Sequence, residues 1–322
     1  MDWSIRRNFV KLRLYILPVL RKPRWQWMVP LGVGAAIIFT LWALYGSQEP
    51  LTSAVGCKSK IAQIVLPHEK ERSEYLMAVG RDMQTVEDDY YSFVERVVFM
   101  CSHQVTVGPE GDGGWDVCID KNFDISSPCL VYSFGIGNDF RFEKEMEERF
   151  KCDVHAFDPS MNVPSHQYST YGHFYEIGLD NVDRVTVDGR WKMQRLKTIM
   201  KELGHEGKTI DYLKMDIEFS EWPALYDIIK SGLVRHIRQL GLEVHTPEMD
   251  KPWRPDNACT WCRWDTLSFM LRVLIDLHNA GMSLYYSRTN YRIEFISALT
   301  RRHRYCCHNL HFVNTKFDRD VV

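Results

Sequence analysis

From Cys129 onward, short apolar runs alternate with longer segments whose apolar residues recur every three or four positions. Leu130-Val-Tyr-Ser-Phe134, Val154-His-Ala-Phe157, His173-Phe-Tyr-Glu-Ile177, Ile210-Asp-Tyr-Leu-Lys-Met215 and residues 236–244 read as strands. Residues 142–150, 191–203, 222–229 and 264–280 read as helices. Such alternation calls for parallel strands joined by crossovers and covered on both faces, a doubly wound α/β sheet. Further strands at 284–286 and 309–313, open to an antiparallel arrangement, bring the expected sheet to about seven. Upstream, residues 69–100 carry a helical pattern, residues 108–114 are a glycine-rich turn, and Trp115-Asp-Val-Cys-Ile is a short strand.

The first 45 residues have another character. Arg6, Arg7, Lys11, Arg13, Arg21, Lys22 and Arg24 stand against Asp2 alone, and residues 28–45 then carry no charge. Eighteen helical residues span about 27 Å, the thickness of a thin bilayer core. Trp25, Trp27, Trp42 and Tyr45 sit at or near the ends of the run, as interfacial aromatics do. We expect a cytosolic basic tail (1–27), a transmembrane signal-anchor in the lipid bilayer (28–45), a stem (46–68) and a folded domain (69–322). The positive-inside rule puts that domain across the membrane, as in a single-pass type II protein of the Golgi or ER with a lumenal domain. A cleaved signal peptide usually has a shorter basic region and a small-residue cleavage site. All nine Cys lie beyond residue 45, where an oxidising lumen permits disulfides.

Composition narrows the classes further. With 45% hydrophobic and 13% aromatic residues the chain is neither disordered nor collagen-like, and its single long apolar run excludes a multi-span transporter. A net charge of −2 gives no support for nucleic-acid binding.

Ligands of open α/β sheets bind at the carboxyl ends of the strands, where strand order reverses. At the first strand end stands Phe134-Gly-Ile-Gly-Asn-Asp139, with Gly135, Gly137 and Asn138 as candidate cofactor contacts. Asp158 stands at the next strand tip, where a carboxylate can accept from both hydroxyls of a ribose. A dinucleotide loop wants a third small residue where Phe140 stands, and Glu143, Glu145, Glu147 and Glu148 follow. That acidic, bulky helix start disfavours a nicotinamide cofactor and suits a ligand without phosphates. S-adenosylmethionine, a sulfonium nucleoside, is such a ligand.

The order Phe-Gly-Ile-Gly-Asn-Asp, Phe157-Asp-Pro, and Asp211-Tyr-Leu-Lys-Met-Asp216-Ile-Glu218 resembles class I methyltransferases. The last segment is similar to FkbM-type O-methyltransferases of sugars and natural products, in which a Gly usually follows the final Glu; here Phe219 stands there. Trp115-Asp-Val-Cys, Cys129-Leu-Val-Tyr-Ser-Phe-Gly-Ile-Gly-Asn-Asp and the anchor together resemble the membrane-anchored methyltransferase-like proteins related to methyltransferase-like protein 24. The resemblance spans about residues 90–315. It implies a Rossmann-like sheet of about seven strands, methyl-donor binding by Gly135, Gly137 and Asp158, and O-methylation of a sugar or glycan hydroxyl in the secretory lumen.

Methyl transfer from a sulfonium is an in-line displacement in which alignment does most of the work, and an alcohol acceptor must also lose a proton. Asp216 and Glu218 end the fourth strand; Glu243 and His245 end the fifth. Period-two spacing points each pair one way from its strand. One reading makes His245 a general base oriented by Asp216 or Glu218; another makes the four a Mg or Mn site; a third makes them structural. The acceptor can instead be a protein or small molecule, or the domain can be a tethered binding module without catalysis. Cys259-Thr-Trp-Cys262 reads as a disulfide before a zinc or redox site, Arg301-Arg-His-Arg304 as a solvated loop, and Trp253, Trp261 and Trp264 as core or sugar-stacking residues.

Overall fold

The computed structural model describes residues 82–247 and 264–317. The expected tail, anchor and stem lie outside the described residues, as do Cys57, Trp253, Cys259, Trp261 and Cys262. Among the described residues no helix is long and apolar enough to cross a membrane.

Helix α1 (Met83–Glu95) is capped by Asp82, whose carboxylate accepts from the Thr85 amide and hydroxyl. It ends earlier than its apolar spacing suggests. Arg96 turns extended, and the amides of Val98 and Phe99 donate to the Leu284 carbonyl, so sheet contacts take these residues from the helix. Strands β1 (Gln104–Val107) and β2 (Trp115–Cys118) form an antiparallel hairpin. Buried Gln239 fastens it to the sheet, accepting from the Cys118 amide and donating to the Cys118 and Phe123 carbonyls.

The central elements follow as β3 (Leu130–Phe134), α2 (Arg141–Glu145) running into a π turn, β4 (Asp153–Phe157), β5 (His166–Gln167) and β6 (Gly172–Tyr175). Next come β7 (Gly178–Leu179), β8 (Arg184–Val185), β9 (Lys192–Gln194) and α3 (Leu196–Glu202). The chain continues through β10 (Ile210–Met215), α4 (Glu221–Lys230), β11 (Ile237–His245), α5 (Trp264–Asn279), β12 (Met282–Ile296) and β13 (His303–Asn314).

Eight strands form one sheet in the order β12-β13-β11-β10-β3-β4-β6-β5. Strands β6, β4, β3, β10 and β11 run parallel; β13 is antiparallel to both its neighbours, and the eighth strand is the two-residue edge β5. Every side chain of β10 is buried, as a strand covered on both faces must be. The main core joins this strand to α1, α4 and α5 through Leu213, Met215, Trp222, Leu225 and Leu274.

One expected helix begins late. Residues 192–194 pair with both β7 and β8 in a separate three-stranded sheet, and α3 starts only at Leu196. The apolar spacing over 191–203 is real, but strand pairing at its start outweighs helix propensity. Disulfides join Cys101 to Cys118, Cys129 to Cys152, and Cys306 to Cys307. The second ties the entry of β3 to the entry of β4.

Candidate active site

Strand order reverses between β3 and β10, since the chain leaves β3 for β4 on one side and reaches β10 on the other. A cavity of about 330 Å³ opens at the carboxyl ends of these strands, where α/β sheets take ligands. Its floor comes from the loop 135–137, from Phe157 and Asp158, and from Asp216, Ile217 and Glu218. Its far wall is Leu179, Arg184, Thr186, Trp191 and Met193, on or beside the small three-stranded sheet. The helical spacing over 191–203 hides this wall in the sequence. The Val187-Asp-Gly189 turn just before that span was the available signal.

The two glycines have different reasons. Gly135 has φ +80°, and a Cβ there would sit 1.7 Å from the Asp216 carbonyl oxygen. Only glycine lets the ends of β3 and β10 approach so closely. Buried Lys214 holds the same turn, donating from Nζ to the Gly135 carbonyl at 2.6 Å with its ammonium 5.1 Å from the Trp115 ring centre. Gly137 has φ +57°, and a Cβ there would meet nothing within 4 Å. It borders the cavity and leaves a ligand room against the backbone. Asn138, expected as a cofactor contact, is instead exposed in a left-handed conformation and does not line the cavity.

Asp158 sits at the tip of β4 as expected, but its carboxylate is occupied. Oδ2 accepts from the amides of Ile136 (3.0 Å) and Gly137 (2.9 Å); Oδ1 accepts from the Ser160 amide (2.8 Å) and hydroxyl (2.6 Å). Asp158 therefore braces the glycine loop. Any further hydroxyl donor would reach it by displacing the Ser160 hydroxyl, the one donor of the four that can rotate away.

Asp216, Glu243 and His245 converge as their strand pairing requires, and Glu221, the first residue of α4, completes the group. Glu221 is fully buried. Its Oε1 accepts from the Ile217 amide at 2.8 Å and lies 3.0 Å from His245 Nδ1. Burial pulls the His245 pKa down, but Glu221, by charge and hydrogen bond, and then Asp216 and Glu243 raise it to about 10. At neutral pH His245 is thus an imidazolium. This corrects the expectation of a base oriented by Asp216 or Glu218: the partner is Glu221, and the ring has no free lone pair to take a proton. A carboxylate in the first turn of the helix after the Asp-Ile-Glu segment was the signal that pointed to it.

Burial raises Glu243 to about 7, with Asp216 adding to the shift and His245 and an Asn290 hydrogen bond opposing it. The Asn290 amide donates to Glu243 Oε1 at 3.1 Å. Asn290 also lines a second cleft of about 160 Å³, with Asp112, Arg288, Thr289, Tyr291 and Asn309. Glu218 is exposed at the cavity mouth with φ +54°, and Phe219 follows at φ +76°. Two consecutive left-handed residues without glycine cost about 1–3 kcal/mol each, strain of a kind concentrated at functional loops. The Phe219 ring packs 5.6 Å from the His245 ring, which helps to hold that conformation. Asp216, Glu221 and His245 bring potential ligand atoms within 4.8 Å of one another. The Glu221–His245 ion pair balances the buried charge through Oε1, while Glu221 Oε2 accepts no hydrogen bond, and we derive no metal-dependent step.

This crevice at a strand-order reversal, with its glycine turn, defines a Rossmann-like α/β domain of the methyltransferase kind. Residues 68–281 match the family described as "Methyltransferase domain", and the chain belongs to that family. It is 28% identical over 180 residues to human "Probable methyltransferase-like protein 24", covering 50% of this chain and 48% of that protein. It is also 28% identical over 181 residues to the protein of the same name from Rattus norvegicus, covering 52% and 49%. The matched segment thus spans about half the length of these relatives. A 16S rRNA (adenine(1408)-N(1))-methyltransferase from Catenulisporales acidiphilia overlaps 62% of the chain and 92% of its own, at 10% identity and a TM-score of 0.28. Family membership implies S-adenosylmethionine as the methyl donor.

Proposed function

We propose that the domain transfers a methyl group from S-adenosylmethionine to a hydroxyl of a sugar or glycan, and that residues 28–45 hold it on the lumenal side of the Golgi or ER membrane. The observation that carries the reading is the donor-sized cavity at the strand-order reversal, where Gly137 leaves its backbone open. The lining fits the donor. Phe157, Trp191 and Met193 offer apolar surface to a base, Asp158 offers a carboxylate to the ribose, and Asp216 and Glu218 suit a cationic ligand. Gly135, Gly137 and Asp158 would hold the donor, which supplies an electrophilic methyl on a sulfonium.

The chain's own residues then have distinct tasks. The Glu221–His245 pair fixes a positive charge beside Asp216 and Glu243. Glu243, titrating near neutral pH, is the group suited to take the acceptor's proton. Arg288, Asn290, Asn309 and Tyr291 surround the second cleft, beside Glu243 through Asn290, with the donors, acceptors and aromatic face that a hydroxyl-rich acceptor uses.

The test is isothermal titration of the full chain with S-adenosylhomocysteine, followed by incubation with labelled donor and a glycan panel. Binding and label on a glycan support the reading; binding with label only on proteins or small molecules shifts the acceptor class. A tethered binding module without catalysis draws on one observation, the four donors already held by Asp158, and absence of donor binding would favour it.

A further inference from the structure

A second group of chemistry-bearing side chains lies on β4 and β6, apart from the carboxylates around His245. Asp153 and His155 come from β4, His173 from β6 directly opposite His155, and His205 from the segment between α3 and β10. Asp153, His155 and His205 each place a potential ligand atom within 4.8 Å of the others.

We propose that Asp153, His155 and His205 form a zinc site, with His173 an outer neighbour of Asp153. His155 Nδ1 lies 3.1 Å from the Tyr175 hydroxyl, and His205 Nδ1 lies 2.8 Å from the Tyr132 hydroxyl. Each ring is thus oriented through one nitrogen, leaving Nε2 as the ligand atom, the arrangement by which outer-shell partners fix metal-binding imidazoles. His155 Nε2 is buried and hydrogen-bonded to nothing. It sits 3.3 Å from Asp153 Oδ2, while the other oxygen, Oδ1, is 3.6 Å from His173 Nε2. Ligand atoms about 2.0–2.1 Å from a tetrahedral zinc are about 3.3 Å apart, so the Asp153–His155 separation is that of a ligand pair, whereas His173 faces the other carboxylate oxygen as an outer partner. A carboxylate with two imidazoles suits zinc among the divalent metals. A water would complete the tetrahedron, and the ion would clamp β4 to the α3–β10 segment rather than join the transfer reaction.

The test uses the full chain, purified without a polyhistidine tag, stripped with chelator and titrated with cobalt(II). We expect one equivalent to give the intense visible bands of a tetrahedral site, displaced by zinc, with a rise in unfolding temperature. Asp153→Asn changes a half-exposed ligand and should weaken cobalt binding at least about 10-fold, while His173→Asn, at an outer neighbour, should weaken it less. Tyr175→Phe removes an outer-shell partner and should weaken it about 10-fold. The proposal is overturned if wild type gives no tetrahedral bands. It is equally overturned if bands persist unchanged in the Asp153→Asn variant, or carry thiolate charge transfer from cysteine ligands.

Discussion

Glu221 Oε1 lies 3.0 Å from His245 Nδ1, and the two form a buried ion pair joining the first turn of α4 to the end of β11. Glu221→Gln leaves the imidazolium without its main counter-charge, and we expect a loss of about 3 kcal/mol in denaturant unfolding. The folded pKa of His245 exceeds its ordinary value of 6.5. Its contribution to stability is therefore fully present below about 6.5 and lost as pH rises through about 10. NMR titration of the His245 ring should show it protonated through neutral pH in the wild type and released at much lower pH in Glu221→Gln.

Glu243, the base proposed above, should set the pH profile. Transfer should rise as pH passes through about 7, where this carboxyl loses its proton. Glu243→Gln should lower turnover about 100-fold or more while donor binding stays within a few-fold. His245→Gln should move the rising limb to higher pH, because the imidazolium favours ionised Glu243. A limb that stays put would remove Glu243 as the titrating base.

Asp158 and Ser160 give opposite expectations at one carboxylate. Ser160→Ala removes the hydroxyl that occupies Oδ1 and should leave S-adenosylhomocysteine bound as tightly or a few-fold tighter. Asp158→Asn replaces one of the two acceptor oxygens with an NH2 group that must face either the loop amides or the Ser160 amide, and should weaken binding by about 100-fold. Calorimetry on both variants tests this; weaker binding in Ser160→Ala shows that the serine itself contacts the donor.

Gly135→Ala and Gly137→Ala separate folding from binding. At Gly135 the added methyl collides with the Asp216 carbonyl, and we expect about 3 kcal/mol lower stability or no folded product. At Gly137 the space is open, so the cost is the left-handed backbone alone, about 1–2 kcal/mol. The Gly137 variant should melt nearly like wild type and bind donor poorly.

The sheet was readable because its strands are apolar and its connections carry helical periodicity: β3 and β10 occur at the expected boundaries. Long-range pairings were not readable. Residues 192–194 look helical until β7 and β8 are there to pair with them, and residues 96–100 until the chain reaches Leu284. At the site, strand ends placed Asp216, Glu243 and His245 correctly, since parallel register follows from the fold. The choice of Glu221 as the His245 partner was hidden, because it depends on how α4 leaves the left-handed turn at Glu218 and Phe219.

The bond between Cys129 and Cys152 encloses β3, the glycine turn and α2 in a covalent ring. A ring of this size removes about 3 kcal/mol of conformational freedom from the unfolded chain on the entropic account. A protease nick anywhere in residues 130–151 would leave both fragments tethered, so the segment proposed to cradle a nucleoside is laced into a hoop whose ends cannot drift apart while its sulfurs stay oxidised.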